Sequence, residues 1–130
     1  MLLSNKGFVH ARYQAIKVAL AGIKYVLITQ PNARIHGAFT LAVFLLAGVL
    51  KLPRLEWVIL LLTVGLVWTA EIFNTAVEIA VDVISPDYDP KAKIIKDISA
   101  GAVLVSVMVS ILVGLLVFGP HLWNWIKELF

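Results

Sequence analysis

Apolar positions gather into three long blocks, 35–52, 55–84 and 98–118, separated by short stretches rich in turn formers. The third block, Ile98 to Phe118, carries no charge and is long enough to cross a hydrocarbon core of about 30 Å at about 1.5 Å per helical residue. The first holds His36 near its start and Lys51 at its end. The second is apolar in its first half and polar in its second, where Glu71, Asn74, Glu78 and Asp82 appear. The pattern predicts three membrane helices. Between them, Gln30-Pro31-Asn32 predicts a turn, because proline disfavours helix at the residue before it. Pro53-Arg54 predicts a second turn. Ser85 to Pro90, with two prolines, predicts a loop that leads into the charged patch Lys91 to Asp97. Gly119-Pro120 predicts the end of the third span.

Residues 1–34 have a different texture. Ile16, Ala19, Leu20, Ile23 and Val26 recur at helical spacing among Lys6, Arg12, Lys17, Lys24 and Arg34. This predicts an amphipathic helix in the membrane interface, its basic face toward anionic head groups. No apolar core of signal-peptide type precedes residue 35. The expected fold is therefore all-α integral membrane, a single domain over residues 1–130 with three transmembrane helices and an N-terminal interfacial helix. Three spans enclose little interior of their own, so an oligomer is expected.

Composition sharpens the picture. Of 130 residues, 61% are hydrophobic and 15% charged, whereas soluble domains run nearer a quarter charged. A small soluble fold could not hide that much apolar surface. No cysteine is present, which excludes disulfides and thiolate metal sites. The net charge of +3 comes without a dense basic run, so it reads as topology rather than nucleic-acid affinity. Three spans put residues 1–34 and the 85–97 stretch on one side, with eight Lys and Arg residues; Lys51, Arg54 and Lys127 lie on the other. The eight belong to the cytoplasm, which puts the N-terminus inside and the C-terminus outside. Trp123 and Trp125 suit the outer interface.

Glu71, Asn74, Glu78 and Asp82 are spaced three, four and four residues apart, which puts them on one helix face. Glu71 stands roughly 24 Å from the start of its block, at the inner boundary of the hydrocarbon. Each ionisable group at mid-membrane costs at least about 2.5 kcal/mol, so such a stripe calls for a function. Glu and Asn oxygens are hard ligands suited to Mg²⁺. A second carboxylate can serve as general base toward a hydroxyl. Lys96, beside Asp97, can hold phosphate. Together they fit phosphoryl transfer to a membrane-dissolved alcohol. No glycine-rich phosphate loop and no protein-kinase signature accompanies them. The same stripe also reads as the polar seam of a non-catalytic scaffold or channel-like subunit. A phosphohistidine phosphatase fits less well, because His10, His36 and His121 are scattered. His36 itself reads as a structural polar tip at the start of a span.

The segment Ala70 to Glu78 (A-E-I-F-N-T-A-V-E), with Val81-Asp82, resembles the E-x-x-N-[ST]-A-[IV]-E-x-x-x-D signature of the prokaryotic diacylglycerol kinase family. Lys91 to Asp97, followed by Ala100 to Leu104, is similar to that family's A-K-x-x-K-D block and its small-residue run. Asn32 to His36 resembles its N-x-R-x-H block. The resemblance covers nearly the whole chain. It implies a homotrimer of three-span subunits in the bacterial cytoplasmic (inner) membrane, with sites at the cytoplasmic interface shared between subunits. It also implies Mg²⁺, ATP as phosphate donor, and diacylglycerol or undecaprenol as acceptor. By position, Glu71 is then the base on the lipid hydroxyl, Asn74 positions the site and Glu78 binds metal. Asp87, Tyr88, Asp89, Lys96 and Asp97 surround the nucleotide, with Asp82 and Arg34 as further polar residues of the site. One departure stands out: the family's second metal-binding glutamate, four residues before Arg34, is Gln30 here, which keeps an oxygen and loses the charge. Thr75 and the Pro90 to Lys96 stretch look closer to the undecaprenol-kinase-like branch.

Overall fold

The computed structural model describes residues 5–129; residues 1–4, the start of the expected interfacial helix, and residue 130 lie outside the described residues. Four helices follow one another: α1 (Asn5–Thr29), α2 (Pro31–Val49), α3 (Arg54–Ile84) and α4 (Pro90–Leu129). Among the described residues there is no strand. The last three helices are long and apolar enough to cross a membrane. Only 11–22% of each apolar window is buried within the chain, so the rest of that surface needs an apolar environment from outside it. α3 and α4 form the most extensive pairing, and α1 and α2 lean on it.

Three expected boundaries are corrected. The turn at residues 30–32 is one residue wide: Gln30 alone is extended (φ −99°, ψ 114°), and Pro31 opens α2. Proline's fixed φ suits the first helical position, where its missing N–H has no partner to lose. Arg34 therefore belongs to α2, beyond the element in which residues 1–34 had placed it. The patch from Lys91 to Asp97, expected between the spans, forms the first turns of α4, which Asp89 caps by accepting the Lys91 N–H at 2.8 Å. α4 then runs through Gly119-Pro120 to Leu129 instead of stopping at Phe118. Gly119 has no Cβ to clash with the proline ring, and Pro120 faces outward.

The end of the bundle opposite the carboxylate stripe is pinned by a buried cluster of Ala47, Leu52, Leu60, Val117 and Phe118. The α2–α3 connection feeds it. Lys51 N–H bonds Gly48 C=O at 3.1 Å and Leu52 N–H bonds Ala47 C=O at 3.1 Å, with Lys51 at φ 52°. This is a Schellman cap whose apolar contact, Leu52 on Ala47, joins the cluster. Polar residues within the spans satisfy themselves on their own helix. Thr63 and Thr69 donate to the carbonyls of Ile59 and Gly65, and Ser106 and Ser110 donate to those of Val103 and Val107.

Candidate active site

The stripe on α3 forms as its spacing predicts, buried at Glu71 and Asn74, half-buried at Glu78 and exposed at Asp82. Glu71 is 2% exposed, Thr75 2% and Asn74 9%. Thr75 donates its hydroxyl to Glu71 C=O at 2.9 Å, so its polar group is absorbed by the helix. Glu71 is not absorbed: its Oε2 is sealed from solvent and has no hydrogen-bond partner among the described residues. The nearest cationic or titratable partner is His36 on α2, whose Nε2 stands 3.8 Å away.

One turn further, Asn74 Nδ2 donates to Glu78 Oε1 at 3.0 Å. Ser99 on α4 donates its hydroxyl to Asn74 Oδ1 at 2.6 Å. The Ser99 hydroxyl lies also within 3.0 Å of Lys96 C=O. The serine thus sets which way the amide faces, and the amide then grips one oxygen of Glu78, leaving the other free. Beyond it, Lys96 Nζ donates to Asp82 Oδ1 at 2.7 Å, tying α4 to α3 again. That hydrogen bond raises the Lys96 ammonium above its ordinary range, so the cation persists. Lys96 precedes the charge-free run of α4, Ile98 to Phe118. The row reads Glu71, Asn74–Glu78, Lys96–Asp82, from the middle of α3 toward its C-terminal end.

Glu71, Asn74 and Glu78 face a cavity of about 310 Å³ whose polar side Asn32 and His36 complete; Lys96 and Asp82 do not line it. A second cavity of about 390 Å³, lined chiefly by apolar residues, adjoins it along α2, α3 and α4. Ile35, His36 and Val107 line both.

The other expected site residues stand apart from this cavity. Asp87, Tyr88 and Asp89 lie on the loop between α3 and α4, and Tyr88 is 83% exposed. Asp97 pairs with Lys93 one helical turn earlier on an exposed face. Arg34 is exposed and Gln30 half-buried; neither lines the cavity, while Asn32 between them does. No group of three His, Asp or Glu side chains among the described residues could by itself hold a metal ion. Glu78, with one oxygen uncommitted, fits a Mg²⁺ that takes its remaining ligands from water and phosphate. Ser99 escaped the sequence pattern, and His36 was read from it only as a structural polar tip. Both sit on helices other than α3, and only the packing register brings them to it.

Apolar helices that carry a carboxylate, an amide–carboxylate pair and a lysine in a row at one end suit phosphoryl transfer at a membrane. Residues 17–118 match the sequence model of the prokaryotic diacylglycerol kinase family, and the chain belongs to that family of lipid kinases. It is 38% identical to the undecaprenol kinase of Bacillus subtilis over 90% of this chain and 89% of the relative. It is 40% identical to a diacylglycerol kinase of Synechocystis over 77% of this chain and 58% of that protein. With the diacylglycerol kinase of Escherichia coli it shares 28% identity over 77% of this chain and 82% of the relative. The scaffold or channel reading of the stripe is thereby set aside. The chain is a membrane lipid phosphotransferase with ATP as its phosphate donor.

Proposed function

We propose that the chain phosphorylates the terminal hydroxyl of a long-chain membrane alcohol, undecaprenol first, at the cytoplasmic face of a bacterial inner membrane. The observation that carries the chemistry is the sealed, unpartnered carboxylate of Glu71 beside a cavity that opens to an apolar groove. A buried carboxylate oxygen left unpaired is expensive, and a hydroxyl bound against this side chain would offset that cost. In the reaction the acceptor oxygen forms a bond to the γ-phosphorus and the γ-phosphorus to bridging-oxygen bond breaks. The hydroxyl proton passes to Glu71 and ADP leaves. Asn74 fixes Glu78, and Lys96 offers positive charge to the phosphates. Bound Mg²⁺ would neutralise phosphate charge; Glu78 would hold it, with Gln30 as a neutral oxygen ligand in place of a carboxylate. Asp87, Tyr88, Asp89 and Asp97 are read as the nucleotide's surroundings, and Arg34 and Asp82 as further polar members.

The same reading takes α1 as a helix lying in the interface. Its Phe8, Val9, Tyr13, Ile16 and Leu20 are exposed beside Arg12, which sits 4.9 Å over the Phe8 ring. The large exposed apolar faces of α2 to α4 support a homotrimer in which copies cover one another. The undecaprenol preference rests on the Bacillus relative, aligned over nearly the full length of both chains. Diacylglycerol is the second reading, supported by the Synechocystis relative. The purified chain, given labelled ATP and an equimolar mixture of the two lipids, is expected to label the polyprenol predominantly. Label confined to phosphatidic acid would reverse that assignment.

A further inference from the structure

His36 lies outside the row of polar residues on α3, yet it is built into the same place. Its Nε2 is 3.8 Å from Glu71 Oε2, the carboxylate oxygen that is sealed and without a partner. The imidazole itself is 17% exposed, so water does not readily stand in for it. The turn of α2 that carries it is clamped to α3. Thr40 donates to His36 C=O at 2.8 Å and accepts the indole N–H of Trp68 at 3.0 Å. Gly37, next to His36, lies against the same indole, where an added Cβ would stand 3.8 Å from the ring. Trp68 is one turn before Glu71 on α3. The clamp therefore fixes how α2 and α3 stand against each other at this level, and from there a small side-chain rotation closes 3.8 Å to a hydrogen bond. Such bonds in catalytic sites tighten when substrate arrives.

His36 also stands on the wall that the polar cavity and the apolar groove share. An acceptor with its hydrocarbon in the groove and its hydroxyl in the cavity passes this side chain.

We infer that His36 is a positioning residue for the transfer: its Nε2–H holds the sealed Oε2 of Glu71, so that the other carboxylate oxygen faces the acceptor hydroxyl. The inference rests on Glu71 being the base. An imidazole N–H directed at one oxygen fixes the rotation of the carboxylate about its last bond, which a buried glutamate with no partner would lack. It touches neither phosphate nor proton in flight, so its removal acts on kcat through Glu71 and leaves nucleotide binding alone.

The test compares His36→Phe, His36→Met, His36→Gln and Glu71→Gln in purified protein, with kcat and both KM values measured and helicity and thermal unfolding followed alongside. Phe and Met remove the N–H at similar bulk; Gln keeps an N–H at comparable reach. The expected result is a kcat lowered roughly 10- to 100-fold in the Phe and Met variants, the loss of one hydrogen bond to a charged group. KM for ATP stays within about twofold, and Gln recovers most of the lost turnover. Turnover kept in the Phe or Met variant while Glu71→Gln is dead would overturn the role of His36 alone. Equal damage in folded Phe, Met and Gln variants would overturn it too, since ring packing rather than the N–H would then matter. Turnover kept in Glu71→Gln would instead overturn the base assignment on which the inference rests.

Discussion

The amide of Asn74 is bonded at both ends, and the two bonds make the site directional. Ser99 donates to its oxygen at 2.6 Å and its nitrogen donates to Glu78 at 3.0 Å. An amide turned the other way would set its oxygen against the carboxylate, so the serine keeps Glu78 in a usable orientation. Removing it in Ser99→Ala loses a hydrogen bond of about 0.5–1.5 kcal/mol. Turnover at limiting Mg²⁺ should fall by up to about tenfold, the rate equivalent of that energy. Titrating activity against Mg²⁺ in both proteins checks this, and an unchanged curve counts against the positioning role. The Glu71, Asn74, Glu78 spacing was legible because residues on one helix share a face whatever surrounds them. Ser99 and His36 were not, because their place depends on how α2 and α4 slide against α3. A lone serine or a histidine at the start of a span carries no such information.

Lys51 holds the left-handed position of the cap that ends α2, with φ 52°. An L-residue with a Cβ is strained there, while glycine is not. Lys51→Gly should therefore stabilise the chain by up to about 1 kcal/mol, seen as a higher midpoint of thermal unfolding in detergent. A lower midpoint would mean that the lysine side chain contributes more than the backbone strain. The three spans were readable from block length and hydropathy, and so were the ends of α3, but the ends of α2 and α4 were not. Pro31 and Pro90 each open a helix, whereas Pro120 sits inside one. The difference lies in what surrounds each ring. Pro31 follows an extended Gln30, Asp89 caps the turn at Pro90, and Pro120 faces outward behind a glycine. The dipeptide alone does not carry that information.

At the scale of the molecule, the polar row and the pinned apolar cluster occupy opposite ends of one bundle. The proposal that this end faces the cytoplasm rests on the excess of basic residues there. The chain has no cysteine, so single cysteines can report sidedness without background. Lys17→Cys and Pro86→Cys should react with an impermeant maleimide only in opened cells, and Lys51→Cys should react in intact ones. The reverse pattern would invert the topology. Apolar faces left bare on α2, α3 and α4 explain why the sequence was legible as a membrane protein before any fold was seen. Those same faces gave no indication of which of them meet lipid and which, in the proposed homotrimer, meet another copy. The account as a whole turns on Glu71 and the direction of transfer. With γ-labelled ATP and lipid alcohol in vesicles, the wild-type chain should deliver label into the organic phase as a phosphorylated lipid. Glu71→Gln should lower that rate by roughly 10²–10⁴-fold while remaining folded, the usual loss for a missing general base. Label released only as free phosphate, or carried to lipid equally well by Glu71→Gln, would contradict it.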